Sequence, residues 1–165
     1  MESIYKERED QTLLTFLKEL YFMNLDQLKE EATKDLPIID HEHMDQETYK
    51  NQIIKPKWLD YKTRFELLKI QANIKHTKLY REKWEYYGGK SDAKVYVAKP
   101  FDLKVLKGDL AMYINADDEI IDLQSKISYY EVIIKYIDGV IKSIDNRSWD
   151  IKHAQDWKKF EAGMM

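Results

Sequence analysis

Apolar side chains recur along this chain at alternating spacings of three and four, the pattern of helices packed together over many turns. The clearest run is Ile120, Leu123, Ile127, Tyr130, Ile134, Ile137, Ile141 and Ile144. It predicts a helix over 116–145, opened by Asp117, Asp118 and Glu119, where the helix dipole favours anions. Ile121, Val132, Ile133 and Val140 widen the apolar face beyond a two-helix seam, so more than one neighbouring helix is expected. Gly139, which costs up to about 1 kcal/mol inside a helix, suggests a close approach there. A second run, Trp58, Tyr61, Phe65, Leu68 and Ala72, begins just after Pro56. Its pattern drifts to Ile70, Ile74, Thr77, Tyr80, Trp84 and Tyr87 before Gly88-Gly89 stops the helix.

Shorter elements fill the remainder. Leu13, Phe16, Leu17 and Leu20 share one stripe of a helix expected over 10–23. Asn24 can cap a further helix, with Gln27 in the returning position of a capping box, and Lys34-Asp35-Leu36-Pro37 ends it. Residues 37–47 read as a polar connection. A helix over 46–54 is expected before Pro56, which either kinks it or starts the next one. Residues 88–100 read as a loop with room for a short strand at Val95-Tyr96-Val97, and a short helix is expected over 102–114. A last helix starts from the cap Ser148 and carries Trp149, His153, Trp157 and Phe160 within one arc. The result is a mainly α fold of long helices with coiled-coil-like packing, divided into an acidic helical arm, 1–47, and a helical core, 48–165. Within that core Ile127, Tyr130, Ile134, Ile137 and Ile141 read as plain core or as a subunit interface.

Charge changes the picture. The whole chain is −3, but residues 1–47 carry −8, residues 48–90 carry +7 and residues 91–165 carry −2. Segregation of this kind points to an anionic partner where a net charge near zero would not. The basic segment also holds Trp58, Tyr61, Phe65, Tyr80, Trp84, Tyr86 and Tyr87. Cations for phosphates and rings for bases are what sequence-tolerant single-strand binding needs. Composition alone leaves a second reading open, in which Lys and Arg merely solvate one helix face, or serve an acidic protein, in a helical oligomeric scaffold or adaptor that binds no nucleic acid.

Chemistry is hard to find. There is no cysteine, which excludes disulfides and thiolate metal sites. Gly88-Gly89-Lys90-Ser91 looks like the end of a phosphate-binding loop, but the required earlier glycine position is Trp84 inside a helix. His41-Glu42-His43 lacks the spacing that puts two histidines on one helix face, so no metal is assigned. His76 reads as part of the charged face, and His153 as a packed or interface histidine. No nucleophile or carboxylate pair stands out, so an enzyme is not expected and no cofactor is assigned. No apolar run approaches the roughly 20 residues that span a bilayer, and the chain is expected to be soluble and cytoplasmic.

The C-terminal string Asp150-Ile-Lys-His-Ala-Gln-Asp-Trp-Lys-Lys-Phe-Glu-Ala-Gly163 resembles the terminal signature of the UvsY-type recombination mediators of T-even-like phages. Lys57-Trp58-Leu59 is similar to that family's entry into its long helix, and Glu85-Tyr86-Tyr87-Gly88-Gly89 to its exit. The resemblance runs from about Leu25 to Gly163. It implies a helical protein that closes into a ring-like homo-oligomer, binds single-stranded DNA, and loads a RecA-like recombinase onto strands covered by single-strand-binding protein. Recombination, repair and recombination-dependent replication are the processes implied, in the cytoplasm of the infected host. The family's DNA-binding motif falls on Tyr80-Arg81-Glu82-Lys83-Trp84, which nominates Arg81 and Lys83 for phosphates. Tyr80 and Trp84 are nominated as rings, with Trp84 either stacking on a base or packing in the core. Lys75, Lys78 and Lys90 are further candidates on the same path.

Overall fold

A computed structural model describes residues 24–40 and 42–164 of the chain. The helix expected over 10–23 and His41 lie outside these residues. Among the described residues five helices account for the regular structure: α1 (Leu25–Asp35), α2 (Met44–Tyr87), α3 (Ala93–Ala98), α4 (Leu110–Asn115) and α5 (Asp118–Glu161). The chain divides into two compact units. One takes in the described residues up to Arg64 together with those from Tyr136 onward, and the other is Phe65–Lys135.

In the first unit α1 begins on the expected capping box, Asn24 Oδ1 accepting from the Gln27 N–H at 2.9 Å and Gln27 Oε1 from the Asn24 N–H at 2.8 Å. Leu28 and Ala32 are its buried face. Lys57 bridges Glu31 and Asp35 at 2.6 and 2.8 Å, and the fully buried Trp58 donates its indole N–H to Asp35 at 2.8 Å. A buried ring with its one polar atom satisfied is a strong anchor for α1 on α2. Here α2 and α5 run antiparallel, with Lys55 on Asp145 at 2.6 Å and Lys62 on Asp138 at 2.8 Å. Ile137, Val140, Ile144 and Ile151 supply the α5 side of the core. Arg147 reaches the Pro37 carbonyl and the buried Glu47, which also accepts from Lys50. The Lys50 hydrogen bond, aided by Arg147, holds the Glu47 carboxyl below the usual range against the upward push of burial.

Three expectations fail in this unit. Residues 46–54 are not a separate helix: α2 starts at Met44 and runs through Pro56 without a break. Proline removes one helical N–H, which leaves the Gln52 carbonyl without its donor; Gln52 and Pro56 both line an open groove of about 440 Å³. Ser148 does not cap a new helix either. No Gly or Pro interrupts 140–160, the Ser148 hydroxyl donates back to the Ile144 carbonyl, and the Asn51 amide donates to Ser148 across the helix pair. Gly139 marks no close approach among the described residues, since nothing lies within 4 Å of where its Cβ would stand.

In the second unit the pairing is again antiparallel: Lys69 meets Glu131 at 2.9 Å, and the buried Phe65 and Tyr130 rings lie 6.2 Å apart. Leu68 and Ala72 are buried as expected, with Leu110 and Ile114 of α4 and Ile120 and Ile133 of α5. Beyond Ala72 the inward seam does not drift. It continues at three-and-four spacing through half-buried His76, Leu79 and Lys83, while Ile70 and Ile74 are about half exposed on the opposite side. The expected strand at 95–97 is helix α3. Its Tyr96 hydroxyl donates to the Tyr86 carbonyl at 2.7 Å and its ring stacks on Tyr86 at 5.5 Å, and no neighbouring strand is present among the described residues. The helix expected over 102–114 shortens to α4.

Candidate nucleic-acid interface

The basic helix places its nominated residues on two different faces. The inward face holds Lys83, whose side chain is only 12% exposed. Its ammonium bridges Asp117 at 2.8 Å and Glu119 at 3.0 Å, just where α5 begins. Asp117 also accepts from the Tyr87 hydroxyl at 2.8 Å, and Glu119 from Lys99 at 2.8 Å. Burial works to lower the Lys83 pKa, but the hydrogen bonds to the two carboxylates outweigh it and raise the ammonium above its ordinary value. Burial likewise pushes Asp117 up, and the Lys83 and Tyr87 hydrogen bonds more than reverse it. Tyr87 rises well above the usual phenol range, through burial and then through the Asp117 carboxylate it serves. Lys83 therefore fastens the end of α2 to the start of α5 rather than facing solvent.

Tyr86 and Tyr87 are inward as well. With Tyr96, Phe101 and Tyr113 they form one ring cluster, Tyr87 lying 5.1 Å from Phe101 and 5.9 Å from Tyr113. Gly88 follows this cluster where a side chain cannot, because a Cβ would stand 2.7 Å from the Trp84 carbonyl oxygen. Gly89 completes the stop at φ 72°, in the left-handed region that glycine reaches most cheaply. Of the other rings in the basic segment, Trp58 and Phe65 are core, Tyr61 is half-buried against Trp58, and Tyr80 is half-buried beside His76.

The outward face is different in kind. Leu67, Ile70, Ile74, Lys78 and Arg81 follow one another at spacings of three, four, four and three, which keeps them on one side of α2. The Arg81 side chain is 74% exposed, with Glu85 one turn away at 3.8 Å as its loose partner. Lys75 and Lys78 are exposed too. Trp84 borders the strip at 39% exposure, and the Lys90 ammonium sits 4.2 Å from its ring centre. A ring open to solvent with cations on either side is chemically equipped to take a base and its phosphates. Apolar spacing alone carries the seam onto Ile70 and Ile74, which belong to this outward strip. The signal that would have separated the faces was the unbroken spacing through His76 and Lys83, hidden because both are polar.

Among the described residues no three metal-ligating side chains gather, and no helix is long and apolar enough to cross a membrane. His153 is exposed rather than packed within the chain, in line with the exposed Trp149, Trp157 and Phe160 of α5.

Residues 31–164 match the family model described as the recombination, repair and single-stranded-DNA-binding protein UvsY. The chain is 27% identical over 143 residues to the recombination protein uvsY of Enterobacteria phage T4, covering 86% of this chain and 99% of that protein. Crystal structures of the bacteriophage T4 recombination mediator protein UvsY share its fold. One crystal form superposes with a TM-score of 0.75 at 24% identity, covering 85% of this chain and 98% of that one. Another gives 0.72 at 23% identity, covering 81% and 98%.

Proposed function

The chain belongs to the UvsY family of recombination, repair and single-stranded-DNA-binding proteins, and on that footing we propose that it grips a single strand along the outward face of α2. Lys78 and Arg81 take phosphates there, Lys75 adds an exposed cation at the flank, and Trp84, flanked by Lys90, takes a base. The observation that carries this reading is the solvent exposure of Arg81 on the face opposite the packed seam, with the partly open Trp84 ring at that face's edge. Lys83 contributes by holding that face in place.

One copy offers few cations, and exposed cations attract a strand weakly at physiological salt. Several copies in a closed assembly make successive contacts intramolecular, which can raise avidity by about 10²–10⁴. The half-buried Ile127, Ile134 and Ile141, and the exposed rings near the end of α5, supply apolar surface for such an assembly. A strand held along several copies is bent into a conformation that the covering single-strand-binding protein grips less well and a RecA-like recombinase accepts. Differential binding between the two states of the strand is sufficient for mediation, with no nucleotide consumed by the mediator.

Replacing Lys78 and Arg81 with Ala tests the path. The expected result is weaker single-strand binding and a log–log salt slope flatter by about 1.4, since each phosphate contact contributes about 0.7. A folded variant with unchanged affinity and slope would leave the adaptor reading in its place.

A further inference from the structure

The outward strip of α2 is apolar at one end and cationic at the other, and nothing among the described residues covers Leu67, Ile70 or Ile74, each more than half exposed. Three aliphatic side chains at helical spacing, open to water beside the cations of a binding path, are an invitation to an amphipathic acidic segment. The chain itself contains one, outside the described residues and before the first residue the family model matches. Taken from its C-terminal end, it carries Leu20, Leu17, Leu13, Asp10 and Glu7, at spacings of three, four, three and three. The outward strip reads Leu67, Ile70, Ile74, Lys78, Arg81, at three, four, four and three. Set antiparallel, the two series pair leucine with Leu67, Ile70 and Ile74, then Asp10 with Lys78 and Glu7 with Arg81. A shift of one helical turn sets either Asp10 against Ile74 or Leu13 against Lys78, so the register that satisfies both the apolar and the charged positions is this one.

We infer that residues 7–20 dock antiparallel on the outward face of α2 and occlude the strand path, placing Asp10 and Glu7 on the cations that otherwise take phosphates. The arm and the single strand then exclude one another. The arm shields the aliphatic strip when no strand is present, and a strand must displace it to bind. A site covered nine-tenths of the time binds about tenfold more weakly than an open one, so the arm sets how readily the protein takes up DNA. The inference rests on the strand path proposed above, and the arm's own position can be tested without DNA.

Because the chain lacks cysteine, introduced cysteine pairs give an unambiguous readout. In the full chain, Leu17→Cys with Ile70→Cys should form a disulfide on mild oxidation. Glu19→Cys with Ile70→Cys, with the first cysteine turned to the opposite side of the arm, should not. Excess oligo-dT should suppress the first cross-link. In cysteine-free full-length protein, Leu13→Ser with Leu17→Ser should tighten oligo-dT binding by several-fold up to about tenfold. Absence of the Leu17–Ile70 cross-link, or equal cross-linking of both pairs, would overturn the docking. A specific cross-link that oligo-dT leaves unchanged would overturn the occlusion. If Lys78→Ala with Arg81→Ala also leaves oligo-dT binding unchanged, the failure belongs to the strand path and not to the arm.

Discussion

Replacing Lys83 with Met and Arg81 with Ala, one at a time, separates a residue that builds the interface from one that belongs to it. Lys83→Met keeps most of the side-chain stem and deletes the ammonium. Asp117, with its side chain only 10% exposed, then keeps the Tyr87 hydroxyl and the Glu119 backbone N–H but loses its countercharge. Removing one partner of a buried pair costs about 3–5 kcal/mol. Glu119 is half exposed and keeps Lys99, which moves the expectation to the bottom of that range or just below it, about 2–3 kcal/mol. Urea denaturation followed by tryptophan fluorescence reads this as a lower midpoint at unchanged slope. Arg81→Ala removes a guanidinium with one loose neighbour, and stability should stay within about 0.5 kcal/mol. The DNA readout should be the reverse. Arg81→Ala should flatten the salt dependence on a single strand by about 0.7, while Lys83→Met leaves the slope alone wherever the protein is folded. A Lys83→Met variant of full stability whose slope falls by that amount would refute the reasoning, because the ion pair would then be open when DNA is bound.

Trp84→Ala should leave the thermal midpoint nearly unchanged, since the ring is partly open to solvent, and should weaken single-strand binding by about 1–3 kcal/mol in a fluorescence titration. Gly139→Ala has room for its methyl group within the chain and should stabilise the folded protein by up to about 1 kcal/mol in urea. Loss of the oligomer in sedimentation for the same variant would place a neighbouring copy against Gly139. The pairs at the start of α5 also fix a pH window. Asp117 and Glu119 have lowered folded pKa values, so their contribution is present above the unfolded carboxylate range near pH 4 and is lost as pH falls below it. Lys83 is raised, so its contribution is full below about pH 10.5 and disappears only as pH rises through its higher folded value. Chemical denaturation across pH should show Lys83→Met abolishing part of both limbs.

The long-range order of the fold was legible where apolar spacing and packing coincide. Trp58, Phe65, Leu68 and Ala72 were found from spacing alone and are all buried, and the Asn24–Gln27 capping box lies where the residues placed it. Helix boundaries were less legible, because local breakers are overruled by tertiary contacts. Pro56 sits inside α2, its missing donor falling at an open groove and the buried Trp58 anchor following two residues on. Val95 and Val97 favour a strand locally, yet the hydroxyl of Tyr96 between them finds the end of α2 and the segment coils around that contact. The interface was half legible. Charge located the helix, but which cations face water depended on Asp117 and Glu119, more than thirty residues away in sequence.

The most direct test of the central claim is an equilibrium titration of the full-length protein with labelled oligo-dT at several salt concentrations. Binding should weaken steeply and linearly in log–log form as salt rises, and Lys78→Ala with Arg81→Ala should flatten that line while the fold is retained. No binding at low salt, or binding indifferent to salt, would contradict the account of α2 as the surface that holds the strand.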